Sequence, residues 1–161
     1  ARHIRPVPGR LEVVEIGSGV LGVVDYAHTP DAVEKVLGQL RKQSPERIIT
    51  VIGCGGDRDS AKRPLMGRMA GQYSDIVIVT DDNPRSENPE SIRSQVLAGV
   101  SDSMAIEVAD RRQAIREALR LANDGDIIAV LGKGHESGQE VAGTVHPFSD
   151  VDVLREEAAH A

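Results

Sequence analysis

Three runs of β-branched and aliphatic residues, 47–52, 75–80 and 126–131, are apolar almost throughout, and each stops abruptly on a glycine-rich or polar segment. A strand that is apolar on both faces belongs in the interior of a sheet covered by helices on either side. Helical patterns run between and beyond the strands. Thr29 offers an N-cap with Pro30 at the first helical position and Asp31 in the first turn, and Val33, Val36, Leu37 and Leu40 follow at helical spacing to about Gln43. A helix is expected over 65–72, after Pro64, and another from Asn88-Pro89 carrying Ile92, Val96 and Val100. Asp110 with Gln113 three residues on reads as a capping box ahead of Ile115, Ala118, Leu119 and Ala122. Residues 105–108 read as a short strand, 11–16 and 20–25 as a hairpin or adjacent strands, 139–147 as a small hairpin, and a short helix begins at Asp150. Strands alternating with helices in this order give an α/β domain with a mainly parallel sheet.

Composition narrows the functional classes. Tyr26, Tyr73 and Phe148 are the only aromatics, so a stacking platform for single-stranded nucleic acid is excluded, and a net charge of -6 disfavours a grip on a phosphate backbone. Cys54 is the single cysteine, which rules out an internal disulfide and a cysteine-rich zinc site. The five histidines show no metal-ligand spacing. No apolar run approaches the roughly 20 residues of a membrane span, and the basic first residues lack the core of a signal peptide. A reducing cytosol is the expected compartment. Residues 1–10, basic and punctuated by proline and glycine, read as a linker into a domain over 11–161. The absence of an initiator Met suggests a piece of a longer chain.

Gly17-Ser18-Gly19-Val20-Leu21-Gly22 matches the letters of a dinucleotide fingerprint, but no helix starts within it and the apolar run continues beyond; a hairpin turn is expected instead. A Walker A loop is absent, since Gly134 stands where Ser or Thr would follow Lys133. Neither an H-E-x-x-H helix nor a G-x-S-x-G elbow occurs.

The segments 53–59, 81–85 and 132–136 each follow a strand, and in an open α/β sheet ligands bind beyond the carboxyl ends of the strands. They are expected to share one rim. Segment 53–59 is either a flexible connector or a ligand loop whose glycines allow close approach and whose Arg58 can fork onto a carboxylate. Asp81-Asp82-Asn83-Pro84-Arg85 is either an Asx-type turn capping the next helix, with Arg85 solvated, or a proline-stiffened binding loop. Gly132 to Glu136 is either a plain turn, with Lys133 and Glu136 as surface charges, or part of a site. Taken together, Arg58 and Arg85 offer two cations and Glu136 an anion, a set that suits a small zwitterion carrying both carboxylate and ammonium.

Asp25-Tyr26-Ala27-His28-Thr29-Pro30-Asp31-Ala32, Gly53-Cys54-Gly55-Gly56-Asp57-Arg58-Asp59, Lys62-Arg63-Pro64, Asp82-Asn83-Pro84-Arg85 and Gly132-Lys133-Gly134-His135-Glu136 resemble, in order and over roughly residues 8–155, the C-terminal domain of the Mur ligases of the diaminopimelate-adding type. The resemblance implies a Rossmann-like open sheet with helices on both faces, from an enzyme that forms an amide bond with ATP during cytoplasmic synthesis of peptidoglycan precursors. It implies that residues 1–10 link to a central ATPase domain, and that ATP phosphates and Mg²⁺ are held mainly there. No catalytic or metal-ligating residue is expected in this chain, and it is not expected to turn over alone. The other substrate would be UDP-MurNAc-L-Ala-D-Glu; no nucleic acid or membrane partner is expected. By the same resemblance Arg58, Asp82, Asn83, Pro84, Arg85, Gly132 and Glu136 would bind meso-diaminopimelate, whose distal carboxylate lysine lacks. Arg10, Asp25 and His28 would approach ATP. Residues 137–149 fit the family pattern loosely and are assigned no site. A lysine-adding or folylpolyglutamate-type ligase domain, disfavoured by Arg85, and a non-catalytic amino-acid-binding module are the alternatives.

Overall fold

The structure is a computed structural model that describes residues 10–101 and 103–161. Apart from Arg10, the linker expected over 1–10 therefore lies outside the described residues. In chain order the elements are β1 (Glu12–Gly17), β2 (Val20–Asp25), α1 (Pro30–Arg41), β3 (Ile48–Ile52), α2 (Lys62–Tyr73), β4 (Ile76–Val79), α3 (Pro89–Gly99), β5 (Met104–Glu107), α4 (Arg111–Leu121), β6 (Ile127–Leu131), β7 (Gly138–Val141), β8 (Thr144–Pro147) and α5 (Asp150–Ala159).

Six strands form one sheet in the order β1-β2-β6-β3-β4-β5, and β7-β8 form a separate antiparallel hairpin. β2, β6, β3, β4 and β5 run parallel, and β1 is added antiparallel at one edge through the turn at 17–19. The glycine-rich letters there make a hairpin, as the continuing apolar run requires.

Side chains alternate across a strand, so each central strand serves two cores. Ile48 and Ile52 of β3 join Val77, Val79, Ile127, Ala129 and Leu131 on one face, where Leu37 and Leu40 of α1, Met66 and Ala70 of α2, and Ile92 and Val96 of α3 cover them. Ile49 and Val51 join Ile76, Ile78, Ile128 and Val130 on the other, beneath Ala114, Ile115 and Ala118 of α4 and Val151, Val153 and Leu154 of α5. Each fully buried Leu- or Ile-sized side chain contributes about 1.5–3 kcal/mol. The two-faced helical cover inferred from the apolar runs is present.

Four helices begin where the capping residues place them. Thr29, Asn88, Asp110 and Ser149 each accept a hydrogen bond from the backbone N–H three residues on. One helix start differs from the sequence reading. α2 begins at Lys62, before Pro64. A proline in the first turn costs no hydrogen bond, because those N–H groups have no intrahelical acceptor. α2 and α3 then pack backbone to backbone: a Cβ on Gly67 would run into the Val96 carbonyl, and one on Gly99 into the Pro64 carbonyl.

Candidate functional site

The loops leaving β3, β4 and β6 meet at the carboxyl ends of the strands, as parallel neighbours must. They enclose a cavity of about 440 Å³ lined by Arg58, Asp82, Asn83, Arg85, Gly132 and Glu136, with His28 at one side and Cys54 and Arg63 also on its wall. Six of the seven residues expected to bind the amino acid thus share one cavity. Pro84 does not line it; its carbonyl instead lies where a Cβ on Gly56 would have to go.

Close backbone approach makes this convergence possible. A Cβ on Gly53 would sit 2.5 Å from the Thr80 carbonyl oxygen, so glycine lets the β3 and β4 loops leave the sheet side by side. Gly56 N–H donates to the Asn83 carbonyl at 2.8 Å, and Asp57 accepts from both the hydroxyl and the N–H of Ser86. Arg63, buried in α2, clamps the same two loops. Its guanidinium donates twice to the Glu87 carboxylate, at 2.7 and 2.8 Å, and once to the Gly55 carbonyl. That fork holds the Glu87 carboxyl below its ordinary range. Cys54 is buried beside Asp82, and its thiol is pushed up to about 12, chiefly by burial, so it stays protonated and unreactive at neutral pH.

Arg85 has φ +53, a left-handed conformation uncommon for a non-glycine residue. The hairpin holds it there. Arg85 N–H donates to the Glu140 carbonyl at 3.1 Å, and Ala142 N–H to the Arg85 carbonyl at 2.8 Å. Gln139 reaches the Asp82 carbonyl at 2.7 Å. The guanidinium of Arg85 donates through Nη1 to the Gly56 carbonyl at 2.8 Å, and Nε faces the Glu140 carboxylate at 3.4 Å. Among the described residues Nη2 has no hydrogen-bond acceptor. Arg58 is exposed and makes only a 3.5 Å contact with the Asp57 carbonyl, so its fork is available to a ligand.

At the other end, Asn83 Oδ1 accepts from Lys133 Nζ and from the Glu140 N–H, both at 2.9 Å. With its oxygen doubly engaged, Asn83 turns its amide nitrogen toward Glu136 Oε2, 3.3 Å away. Glu136 Oε2 also accepts from Lys133 at 3.3 Å, and Oε1 has no hydrogen-bond partner among the described residues. Asp82 is 6% exposed, and burial raises its carboxyl while the neighbouring Arg111 and Lys133 oppose the rise. Gly132, at φ +115, brings its backbone so near that a Cβ would lie 2.7 Å from Asp82 Oδ2.

The residues expected to meet a nucleotide are less gathered. His28 lines the cavity, its Nδ1 3.0 Å from the Tyr26 carbonyl and its ring stacked obliquely on Tyr26. Asp25 is buried and does not line it; its two oxygens accept from Leu11 N–H at 2.8 Å and Ala27 N–H at 2.7 Å. Arg10 is exposed and outside the cavity wall.

Sequence reasoning missed three participants. Lys133 is fully buried, although lysine is rarely so and the sequence left open a surface charge in a plain turn. Arg111 forms a buried pair with Asp150 at 2.7 Å and donates to the Leu131 and Asp81 carbonyls, tying together the ends of β6 and β4. The hairpin, assigned no site, holds the Asp82–Arg85 loop. The available signal was the excess of carboxylates in the rim loops, which need a buried cation.

A family model described as Mur ligase, glutamate ligase domain, matches residues 9–134. A curated relative from Aquifex aeolicus named UDP-N-acetylmuramoyl-L-alanyl-D-glutamate--2,6-diaminopimelate ligase is 53% identical over 152 residues, 93% of this chain and 31% of the relative. One of the same name from Agrobacterium fabrum is 54% identical over 148 residues, 91% of this chain and 30% of the relative. A solved structure of a ligase of that name superposes with a TM-score of 0.90 at 43% identity, covering 98% of this chain and 32% of the solved one. The chain therefore spans about a third of the length of the relatives it matches.

Proposed function

The chain belongs to the Mur ligase family, as its glutamate ligase domain, and from that membership we propose that its rim cavity binds meso-diaminopimelate for ATP-dependent attachment to UDP-MurNAc-L-Ala-D-Glu in peptidoglycan precursor synthesis. The observation that carries the reading is the separation of charge within one cavity. Arg58 on the loop after β3 and Arg85 on the loop after β4 line the same cavity as Glu136 on the loop after β6.

In this reading the arginines take the distal carboxylate. Glu136 Oε1 takes the distal ammonium, and the Asn83 amide nitrogen and the backbone at Gly132 complete the polar wall. Lysine would leave the partly buried Arg85 guanidinium without its anion, which is a means of rejection. The incoming amine attacks a γ-carboxyl of the dipeptide that ATP has converted to an acyl phosphate. A C–N bond forms, the C–O bond to phosphate breaks with its electron pair leaving on phosphate, and the amine gives up a proton. This chain contributes the orientation of the amine by holding the far end of the molecule. His28, and in this reading Arg10 and Asp25, lie toward the nucleotide.

Among the described residues no three His, Cys, Asp or Glu side chains gather into a group that could hold a metal ion. In this reading the ATP phosphates and their Mg²⁺ are held mainly by a domain outside this chain. No helix among the described residues is long and apolar enough to cross a membrane; a cytoplasmic enzyme is the compartment this chemistry proposes, since ATP and the nucleotide-linked precursor are used there.

The test is a chimera in which this chain replaces the matching segment of the Aquifex aeolicus relative. Amide formation with meso-diaminopimelate, and little with L-lysine, is expected. A chimera that binds ATP and the dipeptide precursor yet forms no amide with meso-diaminopimelate contradicts the reading.

A further inference from the structure

Lys133 has no part in the reading above, yet it is the most enclosed charge on the rim. Its side chain is completely buried. Burying an ammonium is costly unless it is paired and hydrogen-bonded, so the groups around it explain its presence. They come from two loops. Asn83 Oδ1 lies 2.9 Å from Nζ and Asp82 Oδ1 3.7 Å away, both on the loop after β4. Glu136 Oε2 lies 3.3 Å away on the lysine's own loop. Behind Asp82 stand Arg111 of α4 and, paired with it, Asp150 of α5. The charges thus alternate in sign from α5 to the cavity, from the buried Asp150, Arg111, Asp82 and Lys133 to the partly exposed Glu136.

We propose that Lys133 is a positioning residue for the ammonium-binding end of the cavity: it fixes the Asn83 amide and the Glu136 carboxylate in the orientation that receives an amino-acid ammonium group. The inference rests on the reading of this cavity as an amino-acid site. Two consequences of the geometry support it. Lys133 and the Glu140 N–H together saturate Asn83 Oδ1, so Asn83 presents only its amide nitrogen on the Glu136 side. Lys133 also engages one Glu136 oxygen and not the other, holding the carboxylate with Oε1 turned from the clamp. By neutralising Asp82, it leaves the trio Asp82, Lys133 and Glu136 with one net negative charge, which matches one ammonium. Without the lysine, two carboxylates would face each other across Asn83 and compete for protons and counter-ions.

The test uses the 161-residue chain and its Lys133→Met variant, in which an unbranched apolar side chain replaces the ammonium stem. In the ligand-free chains, NMR follows the Asn83 side-chain amide and the Glu136 carboxyl carbon across pH. The variant is expected to show altered and faster-exchanging Asn83 amide protons and a displaced Glu136 carboxyl carbon signal. Calorimetry with meso-diaminopimelate is expected to show affinity weakened by about tenfold or more. Unchanged Asn83 and Glu136 signals, or unchanged affinity, overturn the proposal. Altered signals in a chain whose wild type does not bind meso-diaminopimelate uphold the positioning of Asn83 and Glu136 and overturn the functional reading instead. Should the variant not fold, the wild-type ammonium decides: a slowly exchanging ¹⁵N–¹H₃ signal close to Asn83 and Glu136 supports the proposal, and an ammonium in rapid exchange with water overturns it.

Discussion

At the scale of single residues, Arg85 combines a conformation, a set of partners and a free donor in a way few other positions do. Its left-handed backbone is held by two hydrogen bonds to the hairpin, and its guanidinium is half committed, to Gly56 and Glu140, and half open. A lysine there keeps the charge and loses the planar fork. Arg85→Lys is therefore expected to weaken meso-diaminopimelate binding, and Arg85→Ala to weaken it more, by about 10- to 100-fold, with the fold intact by circular dichroism. Titration calorimetry checks this, and an Arg85→Ala chain that binds like the wild type excludes Arg85 from recognition. Arg58, Arg85 and Glu136 were legible as charged residues in post-strand loops. Lys133 was not, because its burial depends on carboxylates that lie 51 and 3 positions away, and only the folded chain reveals that they surround one point. Asp25 shows another limit of local reading: each of its oxygens accepts a backbone N–H, from Leu11 and from Ala27, which its residue type alone does not announce.

At the scale of elements, the strands and helix starts could be read from local chemistry: apolar runs for the strands, and Thr29, Asn88 and Asp110 for the caps. The start of α2 could not, since Ala61 makes no side-chain cap and Pro64 looks like a boundary. The docking of α5 on α4 could not be read either. Glu157 of α5 receives Arg116 at 2.8 and 3.1 Å and Arg112 at 2.9 Å. These hydrogen bonds, from Arg116 first and then Arg112, depress its carboxyl to about 2. A carboxyl depressed in the folded state contributes stability that is fully present above its unfolded value, near 4.5, and is lost as pH falls through about 2. Hydrogen exchange in α5 is expected to quicken as pH falls across this window, after correction for intrinsic rates. In Glu157→Gln the protection is expected to be low already at pH 5 and to change less. Equal acid sensitivity in both chains means that other carboxylates, such as Asp150, control the docking.

At the scale of the whole molecule, the net charge of -6 says little about the ligand, because the charges that matter are sorted locally. The parallel sheet sends three loops to one rim, glycine at 53 lets the β3 and β4 loop backbones touch, glycine at 132 leaves room for the Asp82 carboxylate, and the hairpin of β7 and β8 braces the loop carrying Arg85. The rim was foreseeable because segments 53–59, 81–85 and 132–136 each follow a strand. The brace was not, because residues 137–149 carry no pattern that links them to the Asp82–Arg85 loop. Every group in the proposed amino-acid site belongs to this one chain, so the cavity should discriminate without help. Calorimetry of the chain with meso-diaminopimelate and with L-lysine, side by side, tests that directly. The account predicts a measurable heat for meso-diaminopimelate and about 10- to 100-fold weaker binding of L-lysine, and two equal affinities, or tighter binding of L-lysine, would contradict it.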